Sequence, residues 1–216
     1  MTDHCWETIQ NKNQSFSNNH RQGSPNRHGQ HFDPNQKKIP HSNKFTKEEL
    51  ERQEIAKENH KFVKDHPELL TSQITTLFDS DHIQIRDRLR NIRKEKPGQF
   101  FINDHSTIWS AIECKKKKIQ NIYILNFADG LKPGGGYLNG RSAQEETLCR
   151  QTLLYPTLVG RPMYSINSQL GPEASDAMIY SAGVLVIRDD DNKWIKKQYQ
   201  FRVNIISSPA VDNRKS

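Results

Sequence analysis

The sequence is poor in cysteine and in hydrophobic residues, and both shortages limit what the protein can be. Its 216 residues include only three cysteines, Cys5, Cys114 and Cys149, which are odd in number and far apart. This pattern predicts neither a disulfide framework nor a zinc site, and it favours a reducing setting. Hydrophobic residues make up 33% of the chain and the mean hydropathy is −0.90, so part of the chain is expected to be unfolded.

Long apolar segments are also absent. No run approaches the length of a transmembrane helix, and the N-terminal sequence MTDHCWETIQ lacks the apolar core of a signal peptide. We therefore expect a soluble intracellular protein, in the cytoplasm or the nucleus. Lys and Arg number 32 against 25 Asp and Glu, and the formal net charge of +7 suits an anionic partner without selecting one.

Composition divides the chain into two parts. Residues 1–44 are rich in Asn, Gln, His, Ser and Pro, show no periodicity, and are predicted to form a disordered polar tail. A folded domain is expected over residues 45–216. It begins with a capping-box pattern at Thr46 and Glu49, which starts a helix that ends before Pro67. The apolar positions of this helix are sparse: Leu50, Ile55, Phe62 and Val63.

Helices and strands alternate in the second half of the chain. Residues 107–118 predict a short helix with Ile108, Ala111 and Ile112 inward, and the apolar run NIYILNFA predicts a strand buried on both faces. A glycine loop follows, and then AQEETLCRQTLLYPTL as one helix. Two strands, MIYSAGVLVIR and FRVNIISSPAV, flank the turn sequence DDDNK. This order predicts an α/β domain with a largely parallel or mixed sheet.

Three consecutive glycines, Gly134, Gly135 and Gly136, follow the NIYILNFA strand. Glycine adopts positive φ and lets a ligand approach the backbone, so such a loop can direct several N–H groups at a phosphate. Neither the P-loop lysine nor the Rossmann glycine spacing is present, so the loop is neither of these common motifs. Taken alone, the glycines are equally consistent with a flexible turn.

Two adjacent acids, Glu145 and Glu146, lie in the first turn of the following helix, where the helix dipole favours carboxylates in any protein. Beside a bound diphosphate, burial and like charge would raise the pKa of such a carboxyl, and the helix terminus would lower it. If the raising effects prevail, one glutamate is protonated near neutral pH and can act as a general acid. The nearby glycine loop favours this function over a purely structural role.

The segment LNFADGLKPGGGYLNGRSAQEETLCRQTLLYPTL resembles the signature of the microbial-type poly(ADP-ribose) glycohydrolases, a Gly-Gly-Gly run followed by a spacer and Gln-Glu-Glu. The similarity covers residues 45 to 213. It implies a macrodomain-like, three-layer α/β/α fold with a mixed sheet that binds ADP-ribose. It also implies hydrolysis of the ribose–ribose O-glycosidic bond of poly(ADP-ribose), with release of ADP-ribose and without a cofactor or metal.

The resemblance also implies roles for individual residues. Glu146 is the expected catalytic acid and base, and Glu145 is expected to hold ribose hydroxyls and orient the substrate. The expected substrate-binding residues are Asn126, Gly134, Gly135, Gly136 and Gln144, of which Gln144 supports the loop. The expected partners are poly(ADP-ribose) or ADP-ribosylated proteins, bound by a monomer that contacts neither membranes nor nucleic acid directly.

The sequence departs from the family pattern at its C-terminal end. Family members continue past SSPAV with helices, a strand and a second glycine-rich loop that closes over the diphosphate, and this sequence has no counterpart. A fragment, a degraded paralogue and a protein completed by a partner are the three explanations, and the intact Gln-Glu-Glu motif favours the first. A non-catalytic or inactive ADP-ribose-binding module is the alternative function. A general nucleic-acid binder would rest only on net charge and on the run RDRLRNIRKEK, within the basic segment at residues 83–98.

Overall fold

The computed structural model describes residues 45–71, 73–78, 100–170 and 175–210. The predicted polar tail, residues 1–44, and the basic segment at residues 83–98 lie outside this part of the chain. Besides three short 3-10 helices, the described residues form four strands and five α-helices. The helices are α1 (Lys47–Asp65), α2 (Thr107–Lys116), α3 (Gln144–Gln151), α4 (Tyr155–Leu158) and α5 (Pro162–Leu170). The strands are β1 (Ile74–Phe78), β2 (Tyr123–Ala128), β3 (Met178–Val186) and β4 (Phe201–Pro209).

Helix α1 starts with the predicted capping box. Thr46 Oγ1 accepts from the N–H of Glu49 at 3.2 Å, and the Thr46 N–H donates to Glu49 Oε2 at 2.9 Å. The predicted apolar stripe is wrong at Leu50, which is 52% exposed, whereas Ala56 and Asn59 are the buried positions. Leu50 lies about 120° around the helix from Ala56, so the face that packs inward turns it towards solvent.

The four strands form one mixed sheet in the order β1-β3-β4-β2. β3 is antiparallel to β1 and to β4, and β2 is parallel to β4 with Asn126 opposite Ser207. The predicted mixed sheet is therefore confirmed. The turn between β3 and β4 also forms as predicted, because Asp189 Oδ1 accepts from the N–H groups of Asp191 at 3.0 Å and Lys193 at 2.9 Å.

Most of the core lies on one face of this sheet, and a smaller cluster of Leu153, Leu185 and Ile187 packs separately against Phe62, Val63, Leu69 and Leu70. All five described helices contribute buried side chains to a single cluster on the face that carries Ile124 and Ile205. In α2, Ile108 and Ala111 are buried and Ile112 packs against the cluster, as predicted. Within the described ranges, no helix is both long enough and apolar enough to cross a membrane.

Strand β2 is not buried on both faces, so this prediction is wrong. Its even-numbered residues are buried, but Tyr123, Leu125 and Phe127 on the other face are 60%, 49% and 67% exposed. The helices that cover β2 pack on the face that carries its even-numbered residues, so the odd-numbered side chains are left exposed. β2 is also the outermost strand of the described sheet.

The segment predicted as one helix from residue 143 to residue 158 is broken in the middle. Thr152 is extended, with φ −137° and ψ 171°, and the Leu153 N–H donates to the Leu185 carbonyl at 2.9 Å. The chain thus pairs briefly with the end of β3 before α4 begins. Pro156 is compatible with the first turn of a new helix, where its missing N–H costs nothing. Leu148, Leu154 and Leu158 of this segment are buried, and Tyr155 is half-buried.

Candidate functional site

The glycine loop begins where β2 ends. Asp129 Oδ1 accepts from the N–H groups of Leu131 at 2.8 Å and Lys132 at 2.9 Å, which turns the chain sharply after the strand. The Lys132 carbonyl then accepts from the Gly135 N–H at 2.9 Å. Gly134 and Gly135 have φ values of 67° and 55°, a backbone region that other residues rarely adopt.

The loop lies directly against the two predicted acids. A Cβ atom at Gly135 would be 2.6 Å from Glu146 Oε1 and 3.2 Å from Glu145 Oε2, so only glycine permits this approach. The Gly136 N–H donates to Glu146 Oε1 at 2.8 Å. The N–H groups of Gly135 and Gly136 therefore have partners within the protein, and in this structure they are not the open phosphate nest that the sequence suggests.

Glu145 is fixed at the end of β2 through both of its oxygens. Oε1 accepts from Asn126 Nδ2 at 3.2 Å, and Oε2 accepts from the Asp129 N–H at 2.8 Å. The side chain is buried, and this burial raises the pKa of Glu145 to about 7, although the two hydrogen bonds act in the opposite direction. The carboxyl is thus held rigidly and titrates near neutral pH.

Glu146 differs from Glu145 in having one oxygen uncommitted. Its Oε1 is held by Gly136, whereas Oε2 is buried and has no hydrogen-bond partner among the described residues. Adjacent positions on a helix point about 100° apart, so the two carboxylates reach different partners. Glu146 therefore holds a desolvated oxygen without a partner among the described residues, beside an oxygen that Gly136 fixes.

Asn126 and Gln144 connect these acids to the sheet. Asn126 is fully buried, and its Nδ2 donates to Ser207 Oγ at 3.0 Å as well as to Glu145. Gln144 Oε1 accepts from the Phe127 N–H at 2.9 Å, and Gln144 Nε2 donates to the Leu125 carbonyl at 2.7 Å. Their polar groups thus tie α3 to β2. Asn126, Gly135 and Gly136 contact the two acids directly, whereas the neighbours of Gly134 are Tyr155, Cys149 and Tyr137.

Several supporting residues were missed from the sequence. Arg150 is buried, donates to the Arg141 carbonyl at 2.6 Å and to Thr147 Oγ1 at 2.9 Å, and has its pKa lowered by burial. Tyr155 packs below the loop, where a Cβ atom at Gly134 would be 2.8 Å from its ring. An arginine in the last turn of a helix gives no signal of burial, because that position usually faces solvent.

The fold and the site together define a macrodomain-like α/β domain in which a glycine loop lies on a pair of buried carboxylates. Within the residues that the structure describes, no cluster of three or more His, Cys, Asp or Glu could hold a metal ion. A family model described as the microbial-type PARG catalytic domain, where PARG is poly(ADP-ribose) glycohydrolase, matches residues 27–189. The chain belongs to this family, and the resemblance seen in the sequence is confirmed.

Solved structures agree with this assignment. The poly(ADP-ribose) glycohydrolase from Thermomonospora curvata is 28% identical with a TM-score of 0.69, over 77% of this chain and 66% of that one. The same enzyme bound to the inhibitor ADP-HPD gives a TM-score of 0.65 at 28% identity, over 77% and 65% of the two chains. The enzyme from Deinococcus radiodurans in complex with ADP-ribose is 34% identical with a TM-score of 0.58, over 63% and 55%.

These values also state how much of the relatives the chain covers. It spans just under two thirds of the length of the Thermomonospora curvata structure and 55% of the Deinococcus radiodurans structure. Among curated proteins, none matches this chain. The macrodomain-like fold with a mixed sheet, expected from the sequence, is confirmed by the similarity to the solved enzymes.

Proposed function

We propose that this domain hydrolyses the ribose–ribose O-glycosidic bond of poly(ADP-ribose) and releases ADP-ribose. Membership of the family and the names of the similar solved enzymes support the substrate. The observation that carries the chemistry is the carboxyl of Glu146, whose Oε1 lies against the glycine loop and whose buried Oε2 has no hydrogen-bond partner among the described residues. A fixed and desolvated carboxyl oxygen is what a general acid and base requires.

Glu146 acts in both proton transfers of the proposed reaction. In the first step its Oε2 donates a proton to the departing ribose oxygen while the glycosidic bond breaks and positive charge develops on the anomeric carbon. In the second step the carboxylate takes a proton from water, whose oxygen bonds to that carbon. The Gly136 N–H holds Oε1 throughout, so that Oε2 keeps its direction.

Glu145 is proposed to orient the substrate ribose. Each of its oxygens accepts one hydrogen bond from the protein, and each has a second lone pair for a ribose hydroxyl. Because its pKa is about 7, the pair of glutamates carries less than its full negative charge at neutral pH. An anionic diphosphate therefore meets less repulsion than two ionised carboxylates would produce.

The glycines are proposed to contact the diphosphate and ribose by close backbone approach, since the N–H groups of Gly135 and Gly136 are already used within the protein. Asn126 and Gln144 are proposed as positioning residues, because their amides bond to Glu145 and to the β2 backbone. We propose poly(ADP-ribose) and ADP-ribosylated proteins as partners. The monomeric state, the absence of direct nucleic-acid binding and the cytoplasmic or nuclear location stay predictions.

The test is incubation of the full chain with labelled poly(ADP-ribose). We expect release of ADP-ribose, and at least a 100-fold loss of rate in Glu146→Gln, which keeps the oxygen that Gly136 binds but cannot transfer a proton. Glu51→Gln makes the same chemical change on the exposed surface of α1 and should leave the rate unchanged. Binding of the polymer without release would contradict hydrolysis and support the ADP-ribose-binding module.

A further inference from the structure

Arg141 stands out beside the proposed catalytic pair because its backbone is fixed while its charged end is exposed. Its N–H donates to the Gly136 carbonyl at 3.2 Å, and its carbonyl accepts from Arg150 Nη1 at 2.6 Å. Its side chain is 72% exposed. The residue is thus held firmly at one end and presented to solvent at the other.

The stem of Arg141 lies against the glycine loop at the point where Glu146 also meets it. A Cβ atom built at Gly136 would collide with Cβ and Cγ of Arg141, and Glu146 Oε1 would be 3.4 Å away from the same point. The stem of Arg141 is therefore a close neighbour of the carboxyl that is proposed to act on the glycosidic bond.

Within the described part of the chain, the guanidinium of Arg141 makes only a long ion pair. Arg141 Nη1 is 3.4 Å from Glu49 Oε1, which is beyond the usual length of a charge-assisted hydrogen bond. Glu49 also belongs to the capping box at the start of α1, where its Oε2 accepts a hydrogen bond from the Thr46 N–H. Arg141 can leave this pair without breaking the cap, because Glu49 accepts from Thr46 through its other oxygen.

From this placement we propose that Arg141 forms a second phosphate subsite, which binds the ADP-ribose unit on the far side of the scissile bond. This inference rests on the proposed function. In the polymer every ribose–ribose bond joins two ADP-ribose units, so each such bond has a diphosphate on both sides. The glycine loop serves the first diphosphate, and the long, exposed guanidinium of Arg141 pairs with the second, a geometry that suits phosphate oxygens. Arg141 thereby selects a polymer over single ADP-ribose.

The experiment compares two ligands, ADP-ribose and a dimer of ADP-ribose units, on the full chain that carries Glu146→Gln to prevent turnover. Adding Arg141→Gln should raise the dissociation constant of the dimer by about five- to tenfold and that of ADP-ribose by less than about twofold. Arg141→Lys, which keeps the charge, should restore part of the loss. Lys116→Gln, an exposed cation on α2 paired with Glu113, is the matched control and should change neither constant.

The Glu49→Gln variant distinguishes a phosphate-binding role of Arg141 from a purely structural ion pair with Glu49. If Arg141 binds phosphate, freeing it from Glu49 leaves dimer binding equal or tighter, whereas an anchoring role makes Glu49→Gln behave like Arg141→Gln. Equal weakening of both ligands by Arg141→Gln, or no effect on either, would also overturn the proposal. Hydrolysis is judged separately on the wild-type chain, so the subsite can fail while release of ADP-ribose is observed, and the reverse.

Discussion

The backbone N–H of Gly136 donates to Glu146 Oε1 at 2.8 Å, and this bond joins the glycine loop to the acid that follows it in the motif. The loop therefore supports the carboxyl directly. Because Oε1 is engaged, Oε2 is the oxygen to which we assign the proposed proton transfers, and it is buried without a partner among the described residues. The spacing between Gly-Gly-Gly and Gln-Glu-Glu is thus set by a direct contact.

Gly135 is expected to be the most sensitive glycine of the loop. In Gly135→Ala the new Cβ meets Glu146 Oε1 at 2.6 Å and the residue keeps a φ of 55°, so both overlap and backbone strain arise. We expect a loss of about 2–4 kcal/mol in the free energy of unfolding. Displacing the carboxyl should also lower kcat/KM by about 100-fold. Denaturant unfolding and rates of ADP-ribose release measure the two effects.

Gly160 provides the matched control for this substitution. Its φ is 74°, and a Cβ atom there would have no neighbour within 4 Å, so Gly160→Ala introduces strain without overlap. It should cost about 1–2 kcal/mol of stability and leave kcat/KM unchanged. If the two variants affected activity alike, the contact between Gly135 and the carboxylates would not matter to the reaction.

The raised pKa of Glu145 predicts how stability depends on pH. This carboxyl titrates at about 7 in the folded chain against an ordinary value of 4.5, because it is buried. Between these pH values the folded state holds a proton that the unfolded state has lost, so the free energy of unfolding falls as the pH rises through the window. Glu145→Gln removes this titration, and its stability should vary less with pH.

Urea unfolding at several pH values between about 5 and 8 measures this slope. Glu54→Gln, in an exposed pair with Lys57 on α1, should keep the wild-type slope and serves as the control. The assignment fails if Glu145→Gln shows the same decline in stability with rising pH as the wild-type chain, because another group would then carry the titration.

The two faces of β2 predict opposite responses to neighbouring substitutions. Ile124 is 5% exposed in the core, so Ile124→Ala should lower the free energy of unfolding by about 2–4 kcal/mol. Leu125 is 49% exposed on the other face, so Leu125→Ala should cost less than about 1 kcal/mol. Comparable losses for both variants, measured by urea unfolding, would mean that both faces of the strand are covered.

Much of the site could be predicted because one contiguous motif contains it. The capping box at Thr46 and Glu49 and the turn at Asp189 also follow from local hydrogen bonds, which short sequence patterns encode. The mixed sheet followed from the order of elements and from the resemblance. Local patterns therefore located the elements, and the motif located the acids.

The remaining features depend on contacts between distant segments. The different hydrogen bonding of Glu145 and Glu146 is set by Asn126 and Asp129 at the end of β2, which no helical pattern reveals. The break after α3 arises because Leu153 pairs with β3. The exposure of one face of β2 depends on which element lies beside the strand, and an apolar run alone cannot distinguish an inner strand from an outer one.

The most direct test of the account is a crystal structure of the Glu146→Gln chain with ADP-ribose. We predict that the diphosphate lies over Gly134 to Gly136 and that a hydroxyl of the distal ribose lies within hydrogen-bond distance of the side chain of residue 146. A bound nucleotide that leaves this loop untouched, or a ribose too far from residue 146 for proton transfer, would contradict the assignment of Glu146 as the catalytic acid and base.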